Sequence, residues 1–462
     1  MKRKAALLLA VVLLLLSFSG CTINLFSVES LMMPPEQIGK NGEVQKAFNR
    51  LMSEKTVLLK TPSKGEYRTA FTLRDVDGDG SEEAVVFYAD NAVDATVHMV
   101  LMQCLNDTWV IASDVAGSGS SVYDLDFSDM NSDGRLEIVV GWALFDNKTT
   151  RTVTVYAADV QADNVLALRQ ELNEYYNART FVDFNGDGDN DLVLVYLDDT
   201  GDTQKAYLRN FTMTETGTIN KYNEFLLDSS VTSVVKMQYD SPPDSGITRL
   251  FIDCVKTDNT IFTEVICWNP GTMAPVRAIS NPSTATLRSQ RAGTRDIDGD
   301  GLFEVPTAIK FSGTDESLSV TVDDVVYTFT LLNWLNVRGD AEGQPMVTLL
   351  NTLDSYLFVF PYGSSVTVRY DRYRRALLFC EWDSAESAIR DELFSIAYRS
   401  AAEEATTNEA TTAAAAADPQ PAEPGKILYK NDTGVYYFAI TEYGRAADIT
   451  DSDIMSAFIR LD

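Results

Sequence analysis

Four short segments of the 462-residue chain carry oxygen-bearing side chains at alternate positions around a glycine. They begin at Asp75, Asp129, Asp183 and Asp296, and each reads Asp-x-Asp/Asn-x-Asp-Gly with an acidic residue at the ninth position. Alternate carboxylate and amide side chains supply hard oxygen ligands, and the glycine lets the backbone turn sharply around an ion. Calcium takes about six to eight oxygen ligands, so the pattern predicts four calcium-binding loops.

Each acidic loop is expected to coordinate calcium in the same way. Side-chain oxygens come from the first, third, fifth and ninth positions, and a backbone carbonyl comes from the seventh. In chain order the predicted ligands are Asp75, Asp77, Asp79, Ser81 and Glu83; Asp129, Asn131, Asp133, Arg135 and Glu137; Asp183, Asn185, Asp187, Asp189 and Asp191; and Asp296, Asp298, Asp300, Leu302 and Glu304.

Other interpretations of these loops are weaker. An EF-hand needs a bidentate acid at the twelfth position, where the first three loops have Val86, Val140 and Leu194. A dockerin is disfavoured because strand-like runs, rather than helices, follow the loops. Acidic turns without a metal are the remaining alternative, although carboxylates held so close together would repel one another.

The loops are regularly spaced, and the spacing predicts the elements that hold them. The starts at residues 75, 129 and 183 are evenly spaced, and the start at 296 follows after about twice that interval. A degenerate repeat is therefore expected near Asp240–Gly246. Each period contains a strand, an acidic loop, an apolar strand and two further strand-like runs. Four strands per period of this length are typical of a propeller blade.

The repeat resembles the FG-GAP/VCBS repeats of integrin alpha chains and of many exported bacterial proteins. The resemblance covers about residues 66–345 and depends on Asp75–Glu83, Asp129–Glu137, Asp183–Asp191 and Asp296–Glu304. It implies a mainly β, calcium-binding β-propeller with about five recognisable blades and five to seven in total. The family is functionally broad, so it implies no particular ligand.

Composition excludes several classes of function. The chain has 38 Lys and Arg against 67 Asp and Glu, a formal net charge of -29, and no basic stripe that would neutralise phosphates. A nucleic-acid partner is therefore not expected. His98 is the only histidine, which argues against multi-histidine metal sites and Ser-His-Asp catalysis. We expect His98 to serve packing.

The amino terminus predicts export. Lys2, Arg3 and Lys4 precede an apolar run over 5–16, and small residues lead to Cys21. This ending resembles a bacterial lipobox, with Phe18 where Leu is more usual. It predicts a signal peptide over 1–20 and a lipid on Cys21 that anchors the protein to the cell membrane, outside the cytoplasm. An ordinary signal peptide with an incidental cysteine is the alternative.

The remaining chain is divided by composition. Residues 21–56 are expected to form a tether and a short amphipathic helix with Val44, Phe48, Leu51 and Met52 on its apolar face. The propeller is predicted over 57–345. A small C-terminal α+β module is predicted over 346–462, with a disordered Ala/Thr/Glu/Pro insert over 401–425.

The end of the C-terminal module is expected to be a strand pair and a helix. Thr450 and Asp453 would cap that helix, and Ile454, Phe458 and Ile459 would form its apolar face.

Other candidate sites are less specific. Cys254 and Cys267 flank a turn and would either form a disulfide across a hairpin or remain buried thiols. The serines of the segment 117–121 lack the spacing of a nucleophile elbow, so this segment is expected to be a loop between blades. Arg369, Arg372, Arg374 and Arg375 surround a turn and would either grip an anionic ligand or form a solvated hairpin tip.

The sequence therefore predicts a lipid-anchored, calcium-stabilised binding or scaffold protein of the cell envelope, with a protein or polysaccharide ligand. A polysaccharide-acting lyase or hydrolase on the same propeller is the alternative. Enzymatic activity is the less favoured reading because metal binding already accounts for the abundant carboxylates.

Overall fold

The computed structural model describes residues 39–55, 57–90, 96–145, 149–243, 245–288, 292–311, 318–337, 346–360, 365–403 and 425–461. The signal peptide, Cys21, the tether and most of the low-complexity insert lie outside this part of the chain. The described residues form two compact units. The first runs to Tyr175 without Met130–Ser132, and the second consists of Met130–Ser132 and the chain from Tyr176 onward.

Two antiparallel sheets form the first unit. Sheet 1 contains β1 (Val57–Lys60), β2 (Phe71–Arg74), β3 (Glu83–Asp90), β4 (Val97–Leu105) and β5 (Thr108–Ala116), in the order β1-β3-β4-β5 with β2 also paired to β3. Sheet 2 contains β6 (Ser121–Ser128), β7 (Glu137–Ala143), β8 (Arg151–Val160) and β9 (Leu166–Tyr176), paired in sequence order.

Sheets 3 and 4 are four-stranded and belong to the second unit. Sheet 3 contains β10 (Ala178–Val182), β11 (Asp191–Asp198), β12 (Lys205–Met213) and β13 (Ile219–Leu226). Sheet 4 contains β14 (Ser233–Asp240), β15 (Arg249–Val255), β16 (Ile261–Asn269) and β17 (Ala274–Arg277). Both sheets are antiparallel, and their strands pair in sequence order.

Sheets 5 and 6 are larger. Sheet 5 contains β18 (Glu304–Ile309), β19 (Leu318–Val322), β20 (Val325–Asn336), β21 (Met346–Asn351), β22 (Tyr356–Val359) and the last strand, β28 (Phe458–Arg460). Sheet 6 contains β23 (Val366–Asp371), β24 (Ala376–Asp383), β25 (Ala388–Ser400), β26 (Lys426–Lys430) and β27 (Gly434–Ile440). The predicted boundary between residues 345 and 346 falls inside sheet 5.

Helices are few and short in the described chain. They are α1 (Lys40–Leu51), α2 (Pro282–Ala285), α3 (Glu442–Ala446) and α4 (Asp451–Ala457). Val44 and Phe48 of α1 are buried against sheet 1, as the helical spacing predicts. Leu51 is 42% exposed, so the apolar face of α1 is narrower than predicted.

The cores lie between consecutive sheets of a unit. Phe87 of β3 and Trp142 of β7 meet edge to face, with ring centroids 5.9 Å apart. Between sheets 5 and 6, the ring centroids of Phe358 on β22 and Phe379 on β24 lie 4.9 Å apart. Inner strands such as β11 are buried on both faces, and for this reason Leu192–Val195 is an unbroken apolar run.

The predicted fold class is confirmed: the protein is mainly β, and its described residues form six antiparallel sheets of four to six strands, consistent with a propeller of five to seven blades. Sheet 4 occupies the interval in which the degenerate repeat was expected. The prediction that Phe458 and Ile459 belong to the last helix is wrong, because α4 ends at Ala457 and these residues pair with β22. Ile454 is buried as predicted.

Candidate metal sites in the acidic loops

The first three acidic loops begin directly after one strand and end at the start of the next, whereas the last loop follows Arg295, which forms an isolated bridge, and ends at the start of β18. The ninth-position acid is the first residue of the second strand, and its register partner immediately precedes the loop. The pairs are Arg74 with Glu83, Ser128 with Glu137, Val182 with Asp191 and Arg295 with Glu304. Strand pairing therefore fixes both ends of every loop, and the four ninth-position acids occupy equivalent places.

The first-position aspartate organises each loop by accepting backbone hydrogen bonds. In the first loop, Asp75 Oδ1 accepts from Gly78 N at 2.8 Å and Oδ2 accepts from Gly80 N at 2.9 Å. In the last loop, Asp296 accepts from Gly299 and Gly301 at 2.7 and 2.8 Å. Asp129 and Asp183 bind the sixth-position amides at 2.9 and 3.0 Å. Asp183 and Asp296 also accept from their fifth-position amides, which gives each of them three. A carboxylate has about four lone-pair sites, so two or three amides leave it able to bind a cation.

The glycine at the sixth position is required by backbone conformation. Gly80, Gly134, Gly188 and Gly301 all have positive φ, between 85° and 97°. Residues with a Cβ rarely adopt such values. The turn therefore depends on glycine, and it directs the neighbouring amides toward the first aspartate.

The fifth-position aspartate bonds to the amide of the seventh residue. Asp79 Oδ1 accepts from Ser81 N at 2.7 Å, and the pairs Asp133–Arg135, Asp187–Asp189 and Asp300–Leu302 repeat this bond at 2.9, 3.0 and 2.9 Å. The seventh residues are thus held in their loops. The role of their carbonyls as metal ligands stays a prediction.

The ninth-position acids are buried, and burial disfavours their charged form. It raises the pKa of Glu83, Asp191 and Glu304 to about 7 in each case, and neighbouring aspartates add to the effect. One oxygen of each of these three acids accepts from the amide of the second loop residue, as Glu304 Oε2 does from Ile297 N at 3.1 Å. Each ninth carboxyl therefore faces its own loop from inside the sheet.

Two loops bring three carboxylates close enough to share one ion. Ligand oxygens of Asp75, Asp77 and Glu83 lie within 4.8 Å of one another, and so do those of Asp296, Asp298 and Asp300. Glu304 is 4% exposed, and its Oε1 is buried without a hydrogen-bond partner in the described chain. A buried carboxylate oxygen in this state is costly, and a hard cation in the loop would satisfy it. The acidic clusters could therefore hold a metal ion.

The third loop contains a contact that the sequence did not predict. Asn210, on β12 and 1% exposed, donates to Asp191 Oδ2 at 3.2 Å and so orients the ninth-position acid from the neighbouring strand. Within the loop, Asn185 Nδ2 donates to Asp187 Oδ2 at 2.7 Å. The only sequence signal for Asn210 is a polar residue within the buried pattern of β12.

In the degenerate loop of sheet 4, a basic residue occupies the place of the ninth-position acid. Its ninth-position residue is Arg249, whose register partner is Asp240, and the two form a buried ion pair. The predicted Asp244 lies outside the described residues.

The structure also shows the surroundings of His98 and of the segment 117–121. His98 stacks on Tyr88 with ring centroids 5.0 Å apart, and its Nδ1 lies 2.9 Å from Asp114 Oδ1. The segment 117–121 joins sheets 1 and 2, as predicted. A Cβ at Gly117 would lie 2.4 Å from the Trp142 ring, so glycine is needed there.

The arginine cluster forms a hairpin tip between β23 and β24. Arg374 pairs with Asp371 at 2.9 Å and with Glu392 at 2.6 Å, and Arg375 pairs with Glu403. Tyr373 at the tip is 98% exposed. Arg374 and Arg375 are therefore neutralised within the fold, which favours the solvated-tip interpretation.

The cysteines outside the amino-terminal segment are free. On the hairpin of β15 and β16, Cys254 pairs with Phe262 and Cys267 pairs with Arg249, so the two cysteines do not face each other. Burial raises the pKa of the Cys267 thiol to about 11, which keeps it protonated and unreactive. The buried-thiol interpretation is the one that this geometry favours.

Comparison with known proteins adds little to these loops. No protein-family model matches the chain, and no curated protein matches it. Among solved structures, the periplasmic gluconolactonase PpgL of Pseudomonas aeruginosa matches with a TM-score of 0.27 and 12% sequence identity, over 73% of this chain and 95% of that chain. The resemblance to FG-GAP/VCBS repeats thus rests on the acidic loops alone. In the described part of the chain, none of the helices has the length and apolar character needed to span a membrane.

Proposed function

We propose that the protein is a calcium-stabilised binding or scaffold protein of the cell envelope, anchored by a lipid on Cys21, with a protein or polysaccharide ligand. The observation that supports calcium binding most directly is the carboxyl group of Glu304. It is buried beside three convergent aspartates, and one of its oxygens lacks a partner among the described residues. A calcium ion in that loop would compensate both the burial and the mutual repulsion of the carboxylates.

The donor set favours calcium over other metals. Every predicted ligand is an oxygen atom, and each set comes from one continuous loop. Zinc and copper favour nitrogen and sulfur ligands, whereas magnesium demands a stricter geometry and retains water. Extracellular calcium modules often bind at about 10⁻⁴–10⁻³ M, which suits an exported protein.

The position of the loops favours a structural role for the ion. In sheets 1, 2 and 3 the loop joins two paired strands, and the second of these strands begins with the ninth-position acid. In sheet 5 the loop directly precedes β18. An ion bound there would hold the strand ends together. We therefore expect calcium to stabilise the sheets that present the ligand-binding surface, rather than to take part in a reaction.

Calcium binding is tested by isothermal titration and native mass spectrometry of the mature protein. We expect about four calcium ions per chain, one for each complete acidic loop, and none that depends on sheet 4. A protein that binds no calcium would contradict the proposed function. Degradation of a polysaccharide in a screen with and without calcium would favour the enzymatic alternative.

The membrane anchor is tested separately by fractionating cells that express Cys21→Ala. We expect the variant to leave the membrane fraction, because diacylation supplies the two chains that stable anchoring needs. Cys104→Ala is the matched control and should remain bound. A Cys21→Ala protein as firmly membrane-bound as the parent would refute the anchor.

A further inference from the structure

The loop of sheet 4 keeps the strand register and the sixth-position glycine of the metal loops but not their ligands. Counted from its register pair, Gly246 occupies the sixth position and also has a positive φ, 61°, where the other loops have 85° to 97°. The first, third and fifth positions are Ser241, Pro243 and Ser245 instead of acids. At the ninth position Arg249 replaces the buried acid. This loop therefore lacks acids at the first, third and fifth positions and has a cation at the ninth.

The guanidinium group of Arg249 is held inside the sheet. Its Nε donates to Asp240 Oδ1 at 2.6 Å and its Nη2 donates to Oδ2 at 2.5 Å, a bidentate arrangement. The side chains are 5% and 3% exposed. Asp240 occupies the position before the loop, where the four acidic loops have Arg74, Ser128, Val182 and Arg295. Cation and anion therefore come from the chain itself.

The Asp240 carboxylate also contacts the next acidic loop, Asp296–Glu304. Asp240 Oδ2 accepts a hydrogen bond from Phe303 N at 2.7 Å. Phe303 is the eighth residue of the last loop and directly precedes Glu304, the acid whose Oε1 lacks a partner among the described residues. The ion pair of sheet 4 thus fixes the backbone that carries a predicted metal ligand of sheet 5.

Contacts from the eighth position to the preceding loop recur elsewhere. In the first unit, Leu136 N, before Glu137, donates to Val76 O of the first loop at 2.9 Å. In the second unit, Thr248 Oγ1, before Arg249, donates to Asp183 O at 2.8 Å. Neighbouring loops are therefore linked through the residue that precedes the ninth position. The hydrogen bond from Phe303 N differs from these two because its acceptor is a carboxylate rather than a backbone carbonyl, and it is therefore charge-assisted.

We propose that Arg249 is a permanent internal replacement for the metal ion in sheet 4, and that the Asp240–Arg249 pair is a positioning element for the metal site of Asp296–Glu304. The first statement predicts that sheet 4 keeps its loop without calcium. The second predicts that the pair raises the calcium affinity of the last loop by holding Phe303, and with it Glu304. This inference rests on the proposed calcium binding.

The test compares calcium binding of the full mature chain with that of Asp240→Asn. Removing a group that orients a metal ligand typically weakens metal binding by about 10–100-fold. We expect a loss of about tenfold or more at one of the four sites and unchanged affinity at the other three. In an Asp300→Asn background, which already lacks the last site, Asp240→Asn should cause no further loss of calcium binding.

A matched control separates positioning from general stability. Glu264→Gln breaks another bidentate ion pair of sheet 4, in which Arg277 Nε and Nη2 lie 2.7 and 2.9 Å from the Glu264 carboxylate. Among the described residues this pair bonds to no acidic loop, so all four calcium affinities should stay as in the parent protein. If Asp240→Asn folds poorly because Arg249 is left unpaired, Asp240→Asn with Arg249→Met removes both charges. This double variant should show the same selective loss.

The outcomes distinguish this inference from the proposed function. Four calcium sites in the parent protein with unchanged affinity in both Asp240 variants would overturn the positioning role and leave the proposed function intact. A fifth calcium site that disappears in Asp240→Asn would overturn the replacement role. A parent protein that binds no calcium would refute both the inference and the proposed function.

Discussion

Burial makes each ninth-position carboxyl group costly in the absence of a cation. Glu83, Asp191 and Glu304 each have a pKa raised to about 7, because burial disfavours their charged form. In sheet 4 the equivalent register position holds Arg249, whose guanidinium group pairs with the carboxylate of Asp240. One backbone framework therefore supports two ways of balancing charge, and single residues decide between them.

The contribution of one loop is measurable through Asp300→Asn. We expect this variant to lose one bound calcium and several degrees of the calcium-dependent rise in melting temperature. One site contributes about 2.7 kcal/mol when calcium exceeds the dissociation constant by about a hundredfold. Thermal unfolding with and without calcium measures the effect. Asp323→Asn, in the turn between β19 and β20, is the matched control and should retain the full rise.

Asp354 predicts a pH dependence that involves no acidic loop. Burial raises its pKa to about 6, and the nearby Glu403 carboxylate adds to this while Arg375 opposes it. The carboxyl group accepts a hydrogen bond from Asn351 Nδ2 at 3.0 Å. The folded protein holds this proton more tightly than the unfolded chain, so stability falls as pH rises from about 4 to about 6.

Asp354→Asn should remove that pH dependence. Above about pH 6 the variant should be more stable than the parent, by at most about 3 kcal/mol, because it avoids a buried charge. Below about pH 4 the difference should vanish. Denaturant unfolding of both proteins in calcium from pH 4 to 7 provides the measurement. A variant of equal or lower stability throughout would show that Asp354 ionises without cost.

At the scale of elements, strand pairing does most of the positioning. The register that joins each ninth-position acid to the residue before its loop recurs in five sheets, including sheet 4. The last strand, β28, joins sheet 5 after the chain has completed sheet 6, so pairing with β22 is a contact between distant parts of the sequence. Helix α4 delivers that strand.

The capping of α4 should therefore matter for stability. Thr450 Oγ1 accepts from Asp453 N at 3.3 Å, and Asp453 Oδ2 accepts from Thr450 N at 2.8 Å. Thr450→Ala should cost about 1 kcal/mol, since it removes one half of this capping box. Thr450→Ser keeps the oxygen and should cost much less. Equal unfolding midpoints for the Ala and Ser variants would contradict a capping role.

At the scale of the whole molecule, net charge and calcium act together. A formal charge of -29 opposes the compact state through self-repulsion, and part of that charge is concentrated in the acidic loops. Calcium bound as proposed would neutralise this charge locally, whereas monovalent salt only screens it.

Chelation should therefore make stability dependent on salt. We expect the melting temperature to fall substantially on adding chelator and to recover in part between about 0.05 and 0.5 M NaCl. With calcium present, the same salt range should have little effect. Magnesium is the control cation and should restore less stability than calcium, because it demands a stricter geometry. Equal salt dependence with and without calcium would contradict this prediction.

Much of the fold was determined by local sequence. The acidic loops are continuous segments, so their spacing alone predicted their places, the repeated sheets and the degenerate member near residue 240. The capping box of Thr450 and Asp453 and the buried Val44 and Phe48 of α1 also follow from short-range patterns. Such features are readable because each depends on residues only a few positions apart.

Only the tertiary structure decided the features that join distant residues. Nothing in a linear pattern places Phe303 N on Asp240, Asn210 on Asp191, or the strand Phe458–Arg460 beside β22. Phe458 and Ile459 fit a helical face as well as a strand, and pairing with a sheet built about a hundred residues earlier overrides that local preference. Arg249 is an ordinary basic residue in the sequence. We propose a metal-replacing role for it only because strand register places it where sheets 1, 2, 3 and 5 bury an acid.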